Sequence, residues 1–102
     1  MTPTKLKIQT FSDYSELKIL IQHPMENGRN RDANGQLIAA HFIETLEVKR
    51  NGIVAIRLQM AGSLSKQPFL SLRLAPLGRE ERISVSWIDN LGQTDSIEQR
   101  IS

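Results

Sequence analysis

The sequence of 102 residues contains no cysteine. Disulfide bonds, thiolate metal sites, thiol redox chemistry and covalent catalysis by a cysteine are therefore excluded for this chain. Any covalent sulfur chemistry in which the protein takes part has to use a thiol of a partner.

Long apolar runs are also missing, and no window approaches the roughly 18 apolar residues that a membrane helix needs. The N-terminal segment "MTPTKLKIQTF" lacks the charged segment and apolar stretch of a secretory signal, so we expect no signal peptide of its own. Hydrophobic residues make up 39% and charged residues 24% of the chain, which is typical of a folded soluble protein. We expect a single domain over residues 1–102.

Aromatic residues and excess charge are scarce as well. Three Phe, one Tyr and one Trp leave no stacking platform for single-stranded nucleic acid, and 13 basic against 11 acidic residues leave a net charge of only +2. The basic residues are spread over strands and loops, so we expect a mixed, solvated surface without a basic stripe. Nucleic-acid binding gains little support.

The main pattern in the sequence is an alternation of apolar and polar residues. Leu17, Ile19 and Ile21 alternate in one segment, and Ile83, Val85 and Trp87 in another, with the period of half-buried strands. We predict strands near residues 5–11, 15–23, 38–50, 53–61, 68–75, 81–89 and 94–101. About seven short antiparallel strands favour an all-β, immunoglobulin-like β-sandwich with Trp87 in its core, and a small open barrel is the alternative.

The hairpin around Asn51-Gly52 has two possible registers. A two-residue loop pairs Arg50 with Ile53 and places Leu46 opposite Arg57, so apolar residues face charged ones. A three-residue loop with Gly52 left-handed in a bulge brings apolar residues face to face in three pairs: Val48 with Val54, Leu46 with Ile56, and Phe42 with Met60. Because the apolar sets then coincide, we predict the three-residue loop.

The stretch "IQHPMENG" ends the second predicted strand and opens a polar loop over residues 26–37. His23 in this stretch and His41 further on are metal-ligand types, but their separation of 18 positions matches no compact ligand spacing. We expect the two histidines to meet and to hold the loop by hydrogen bonds; a small metal-binding β-sandwich stays the alternative. Two calcium-like stretches, beginning at Asp32 and Asp89, are typical of ordinary turns.

No catalytic constellation is visible in the sequence. The serines of "AGSLSK" have neither a nucleophile elbow nor a nearby histidine, and no phosphate-binding glycine loop occurs. Met25, Pro24, Met60 and the "LSKQPF" bend are candidates for an apolar contact surface, since Met and aromatic residues are enriched in interfaces. The alternative, which is favoured for any one of them taken singly, is an ordinary core or cover residue.

Three stretches together resemble a known family. "HPMENGRNRDANGQLIAAHFIETLEV", "SKQPFLSLRL" and "ISVSWIDNLGQTD" follow the order and spacing of the SoxZ family of thiosulfate oxidation, whose pattern is approximately HPMETG-x-R-x-D-x-x-G-x-x-IPAHFI, KNPFLSF and VSWxDNxGxT. The chain departs from it at Asn27, Ala39 and Gln67, where the family often has Thr, Pro and Asn. The loss of Pro at position 39 removes no reactive group, and the resemblance survives all three changes.

The resemblance implies an immunoglobulin-like, non-catalytic subunit without a cofactor. It implies a SoxY-like partner that carries sulfur intermediates on the cysteine of a C-terminal arm, with other Sox enzymes reached through the complex. It also implies a periplasmic location, reached by export together with a signal-bearing partner. For the partner surface we expect Pro24, Met25, His41 and Phe69. A stand-alone immunoglobulin-like binding module is the remaining alternative.

Overall fold

The computed structural model describes residues 4–60 and 68–101, which contain seven β-strands. Their bounds are β1 (Thr4–Thr10), β2 (Ser15–Ile21), β3 (Ile43–Arg50), β4 (Ile53–Gln59), β5 (Phe69–Leu74), β6 (Arg82–Asp89) and β7 (Thr94–Arg100). Each corresponds to one predicted strand. The described part of the chain holds no helix long and apolar enough to cross a membrane. The serines of "AGSLSK", the last residue of the predicted strand 53–61, and Lys66 and Gln67 of "LSKQPF" lie outside the described residues.

The strands form two antiparallel sheets. One has the order β1-β2-β5 and the other the order β4-β3-β6-β7. The edge strands β1 and β7 approach each other, and Thr4 donates from Oγ1 to Asp95 Oδ2 at 2.7 Å. The predicted all-β sandwich is confirmed.

The core lies between the inward faces of the two sheets. Leu17, Ile19 and Ile21 of β2 are wholly buried, as their alternation predicts. Burial of each such side chain contributes about 1.5–3 kcal/mol. Trp87 is 6% exposed and donates from Nε1 to Thr4 Oγ1 at 2.8 Å, which confirms its predicted place in the core.

The predicted three-residue loop of the β3–β4 hairpin is wrong. Arg50 pairs with Ile53 across a two-residue Asn51-Gly52 turn, and both turn residues have positive φ, at 53° and 84°. A bulge beside Val48 then adds one residue on β4 and restores the apolar match: Val48 faces Ile56 and Leu46 faces Leu58. The requirement that apolar residues face each other was therefore correct. The extra residue that satisfies it lies inside β4 and not in the hairpin loop.

The third strand begins five residues later than predicted, at Ile43 rather than residue 38. Before it, Asn90 binds the backbone on both sides of His41: its Oδ1 accepts from Phe42 N at 2.8 Å, and its Nδ2 donates to Ala40 O at 2.9 Å. These side-chain bonds replace strand ladder bonds, so the segment is held without joining a sheet.

Candidate functional site

Asp89 closes the turn after β6. Its Oδ1 accepts the backbone N–H groups of Leu91 at 3.0 Å and Gln93 at 2.8 Å, and Gly92 adopts a φ of 82° between them. A carboxylate that caps its own turn is the usual chemistry of an Asp-Asn-x-Gly stretch. The ordinary-turn interpretation of this stretch is confirmed.

Both histidines of the chain meet at the other oxygen of the same carboxylate. His23 Nε2 lies 3.0 Å and His41 Nε2 2.7 Å from Asp89 Oδ2, and the two imidazole centroids are 4.5 Å apart. The side chains of His23 and Asp89 are 3% and 0% exposed, whereas that of His41 is 25% exposed. We call this group the two-histidine corner. The predicted meeting of the histidines is confirmed.

The hydrogen bonds of His23 determine which of its ring nitrogens carries the proton. Its Nδ1 accepts the backbone N–H of Met25 at 3.1 Å, so the ring proton must lie on Nε2, where it is donated to Asp89. An edge-on contact with Trp87 at 5.3 Å between centroids packs the ring. His23 is thus a neutral, oriented donor inside the protein.

The Asp89 carboxyl remains ionised in spite of its burial. Burial acts to raise its pKa, but hydrogen bonds from His23, Gln93, His41 and Leu91 together outweigh burial and hold the pKa below its ordinary value. Among residues 4–60 and 68–101, no buried side-chain nitrogen or oxygen lacks a hydrogen-bond partner. The buried part of the corner, His23 and Asp89, is therefore a satisfied hydrogen-bond network.

Local backbone geometry places His23 at this position. Pro24 follows it and ends the ladder of β2, Met25 takes a positive φ of 48°, and Glu26 exchanges two backbone hydrogen bonds with His41, at 2.7 and 2.8 Å. Met25 is buried, and its Sδ lies 3.5 Å from the backbone nitrogen of Ile43. The chain thereby turns away from the sheet and returns beside the second histidine.

The corner offers metal-ligand atoms at close range, because one atom each of His23, His41 and Asp89 all lie within 4.8 Å of one another. A metal on His23 Nε2 requires the ring proton to move to Nδ1, where it opposes the N–H of Met25. Both Nε2 atoms already face a carboxylate oxygen as donors. The proton arrangement favours the hydrogen-bonded corner over the metal-binding alternative.

The four residues predicted for the partner surface are placed differently from one another. Pro24 is exposed, and Phe69 is 59% exposed at the start of β5, opposite Leu20. His41 is partly exposed but directed at Asp89, and Met25, at 4% exposure, belongs to the core. Met60, also considered for a contact surface, is buried. The partner surface stays a prediction, with Pro24 and Phe69 as its accessible members.

A groove of about 860 Å³ crosses the outer face of the four-stranded sheet. Its lining contains short hydroxyl side chains and one ion pair, among them Thr45, Ser86, Thr94, Ser96, Glu47 and Arg57. Ser86 and Ser96 stand opposite each other, but no histidine lines the groove. The hydroxyl groups and the ion pair of this lining are suited to hydrogen-bonded contacts.

The outer face of the three-stranded sheet gathers cations, which the sequence alone did not predict. Along these strands Leu and Ile face the core, and four cations that alternate with them face outward: Lys5, Lys7, Lys18 and Arg73. We call these four residues the basic face. Lys7 stands directly opposite Lys18, and Glu16 is the carboxylate on the same face. The expectation of evenly mixed charge is wrong for this face, because strand pairing assembles residues that are distant in sequence.

A second carboxylate network lies near the β3–β4 turn. Arg50 donates to both oxygens of Glu81 at 2.8 Å and also to the carbonyl oxygens of Ala75 and Pro76. The hydrogen bonds from Arg50, followed by that from Gly78 N–H, lower the pKa of Glu81 to about 2. This network was not predicted from the sequence.

A comparison with protein-family models matches residues 5–100 to the family described as "Sulphur oxidation protein SoxZ". The chain belongs to the SoxZ family. A search of curated proteins finds no match. Membership confirms the resemblance and places the chain in the sulfur-oxidation (Sox) system.

Two of the three stretches that resemble SoxZ meet in the structure. "HPMENG" supplies His23, "AHFI" supplies His41, and "SWIDN" supplies Asp89, which together form the two-histidine corner. The turn at Asp89 was recognised from the sequence, but its role as the carboxylate that binds both histidines was not predicted. These parts of the SoxZ pattern therefore build one corner of the sandwich.

Proposed function

We propose that this chain is the non-catalytic subunit of a SoxYZ-type sulfur-carrier complex. It binds and stabilises a SoxY-like protein whose C-terminal arm carries the reactive cysteine, and it helps present that arm to other Sox enzymes. Family membership over residues 5–100 is the observation that carries this proposal. The absence of cysteine supports it, because covalent transport of sulfur needs a thiolate, which this chain does not have.

The chemistry of the corner supports a structural role. His23 Nε2 and Asp89 are occupied by each other, and His41 Nε2 lies within reach of two acceptors, Asp89 Oδ2 at 2.7 Å and Gln93 Oε1 at 3.1 Å. A general base needs a free lone pair directed at a substrate. His23 has no such lone pair, because its Nε2 donates to Asp89 and its Nδ1 accepts from Met25 N–H; His41 Nε2 also faces acceptors inside the protein.

A surface suited to the carrier partner includes Pro24 and Phe69, beside the end of β2. Pro68 O accepts the N–H of Ile21 at 3.1 Å, which brings the start of β5 next to the strand that leads to Pro24. A large exposed aromatic such as Phe69 is the type of residue that anchors interfaces. A stable heterodimer buries at least ~1,000 Å² in total, so this pair forms only part of the contact.

Co-expression with a SoxY-like protein tests the proposal. The two chains are expected to elute together in size-exclusion chromatography, and Phe69→Ala is expected to weaken the complex at least ~10-fold in Kd. Leu91→Ala is the matched control, because Leu91 is exposed to a similar extent, 61%, in the β6–β7 turn. Separate elution of the wild-type chains contradicts the proposal, whereas loss in both variants contradicts the assignment of the surface.

We also propose that the complex functions in the periplasm and that this chain is exported with its signal-bearing partner. The support is membership of the SoxZ family, whose resemblance implied export together with a signal-bearing partner. Removal of the partner's signal is expected to leave both chains in the cytoplasm on fractionation. Periplasmic accumulation of this chain in a strain without the partner contradicts joint export.

A further inference from the structure

We propose that the basic face docks transiently on an acidic surface of another protein of the sulfur-oxidation system. Phe69 lies on the same side of this sheet, in one row with Leu20 and Lys5, so the basic face borders the surface proposed for the carrier partner. The proposal rests on the proposed function only for the choice of that system. Three properties of this sheet face support the docking: its charge, its strand register and its size.

Charge is concentrated on this face. Its four cations and single carboxylate, Glu16, give it a net charge of +3, while the whole chain carries +2. The remainder of the chain therefore has a net charge of −1. A local field of this kind attracts acidic surfaces and raises the rate of encounter.

The strand register places two like charges next to each other on the basic face. Lys7 and Lys18 are directly opposite on β1 and β2, and like charges at such positions are destabilising. Glu16 neutralises only one of them, with Oε1 at 3.7 Å from Lys18 Nζ. An acidic partner that contacts Lys7 relieves this repulsion, which gives its binding a source of free energy.

The two ends of the face are suited to protein contact. Lys5 lies opposite Leu20, and at the other end the Arg73 guanidinium stacks over the Tyr14 ring at 4.4 Å. Stacking holds the charge of Arg73 in place, which lowers the entropy lost on binding. Glu16 among the cations disfavours an array of phosphates, such as nucleic acid or an anionic membrane, but suits a protein surface of mixed charge.

Size indicates a transient contact. Three strands spaced about 4.8 Å apart and seven residues rising about 3.3 Å each give a face of roughly 15 by 23 Å. Such an area is well below the ~800 Å² per partner of a standard stable interface. The occupant is therefore an acidic protein that binds and leaves, and the permanent partner needs a different or larger surface.

The test measures association of the carrier complex with each other purified soluble protein of the same Sox system, immobilised in turn, at salt concentrations from about 20 to about 300 mM. One variant is Lys7→Glu/Lys18→Glu. The matched control is Arg82→Glu/Arg100→Glu, because Arg82 and Arg100 also stand opposite each other, on the four-stranded sheet. Each double variant lowers the formal charge by four units.

For at least one of these proteins, K7E/K18E is expected to lower the association rate constant at low salt about 10-fold and to flatten its salt dependence. The dissociation rate is expected to change less than about 2-fold, and R82E/R100E to stay within about 2-fold of wild type. If K7E/K18E fails to fold by circular dichroism, K7Q/K18Q replaces it, with an expected loss of about 3-fold.

Equal losses in both double variants, no loss in either, or no binding of the wild type to any of these proteins each overturn the proposal. Binding to phosphatidylglycerol vesicles or duplex DNA with the same dependence on Lys7 and Lys18, without protein binding, also overturns it. Co-elution with the SoxY-like partner is measured separately. Its failure counts against the proposed function, and the association assay can then be run with this chain alone.

Discussion

His23 and Asp89, which are 66 positions apart in the chain, share a buried hydrogen bond of 3.0 Å between Nε2 and Oδ2. The bond connects the end of β2 to the end of β6, and so joins the two sheets at one corner of the sandwich. Because Met25 N–H holds the other ring nitrogen, the direction of the bond is fixed. The corner's stability therefore depends on the ionised carboxylate.

Substitution of Asp89 by Asn is expected to lower the free energy of unfolding by about 2–4 kcal/mol. The new amide presents N–H groups, or a weaker neutral acceptor, where His23 and His41 both need an acceptor. Urea unfolding followed by tryptophan fluorescence measures the change, since Trp87 packs against His23.

Asp32→Asn is the control for this substitution. Asp32 caps an exposed turn by accepting from Asn34 N and Gln36 N, and an Asn oxygen can accept the same bonds. We expect a change within about 0.5 kcal/mol. A loss at Asp89 no larger than that at Asp32 contradicts the role of the corner.

Zinc titration is expected to leave thermal stability unchanged, because His23 must give up the Met25 hydrogen bond to bind an ion. Differential scanning fluorimetry of the wild type and of His41→Ala, with zinc and with chelator, measures the effect. A zinc-dependent rise in Tm that disappears in H41A restores the metal-binding alternative.

Acid is expected to remove the contribution of Glu81 to stability. The pKa of Glu81 is about 2 in the folded chain against an ordinary value of 4.5. A depressed folded-state pKa stabilises the fold above the unfolded value, and this contribution is lost as pH falls from about 4.5 towards about 2. Urea unfolding should therefore show a difference between wild type and Glu81→Gln at pH 6 that shrinks across this window; a constant difference contradicts the assignment.

Gly52→Ala is expected to destabilise the protein by about 1 kcal/mol, because its φ of 84° places an L residue in the left-handed region. No atom lies within 4 Å of the added Cβ, so the cost is conformational. Gly78→Ala is the matched control, since its φ is outside that region and its Cβ makes an ordinary 3.5 Å contact with Glu81. Chemical denaturation should show almost no change for Gly78, and equal effects at both glycines contradict this account of the turn.

Sequence pattern predicted the strands because each half-buried strand shows its own alternation. Leu17, Ile19 and Trp87 could be assigned to the core without knowledge of any partner strand. The predicted hairpin loop was wrong because a bulge inside β4 changes which residues face each other across the two strands. The sequence around Asn51-Gly52 carries no signal that distinguishes such a bulge from a longer loop.

The functional surfaces were harder to predict because they depend on pairing between distant segments. Asp89 lies 48 positions from His41, and only the fold shows that they share a hydrogen bond. Lys7 and Lys18 look like dispersed charges until the β1–β2 register places them opposite each other. The family resemblance identified the segments that matter, but not the contacts among them.

Native mass spectrometry of the co-expressed complex after turnover with thiosulfate is the sharpest test of the proposed carrier function. We expect a heteromeric complex of this chain with its SoxY-like partner and, on dissociation in the gas phase, sulfur adducts on the partner alone. A persistent adduct on this chain, or the absence of any such complex, contradicts the account.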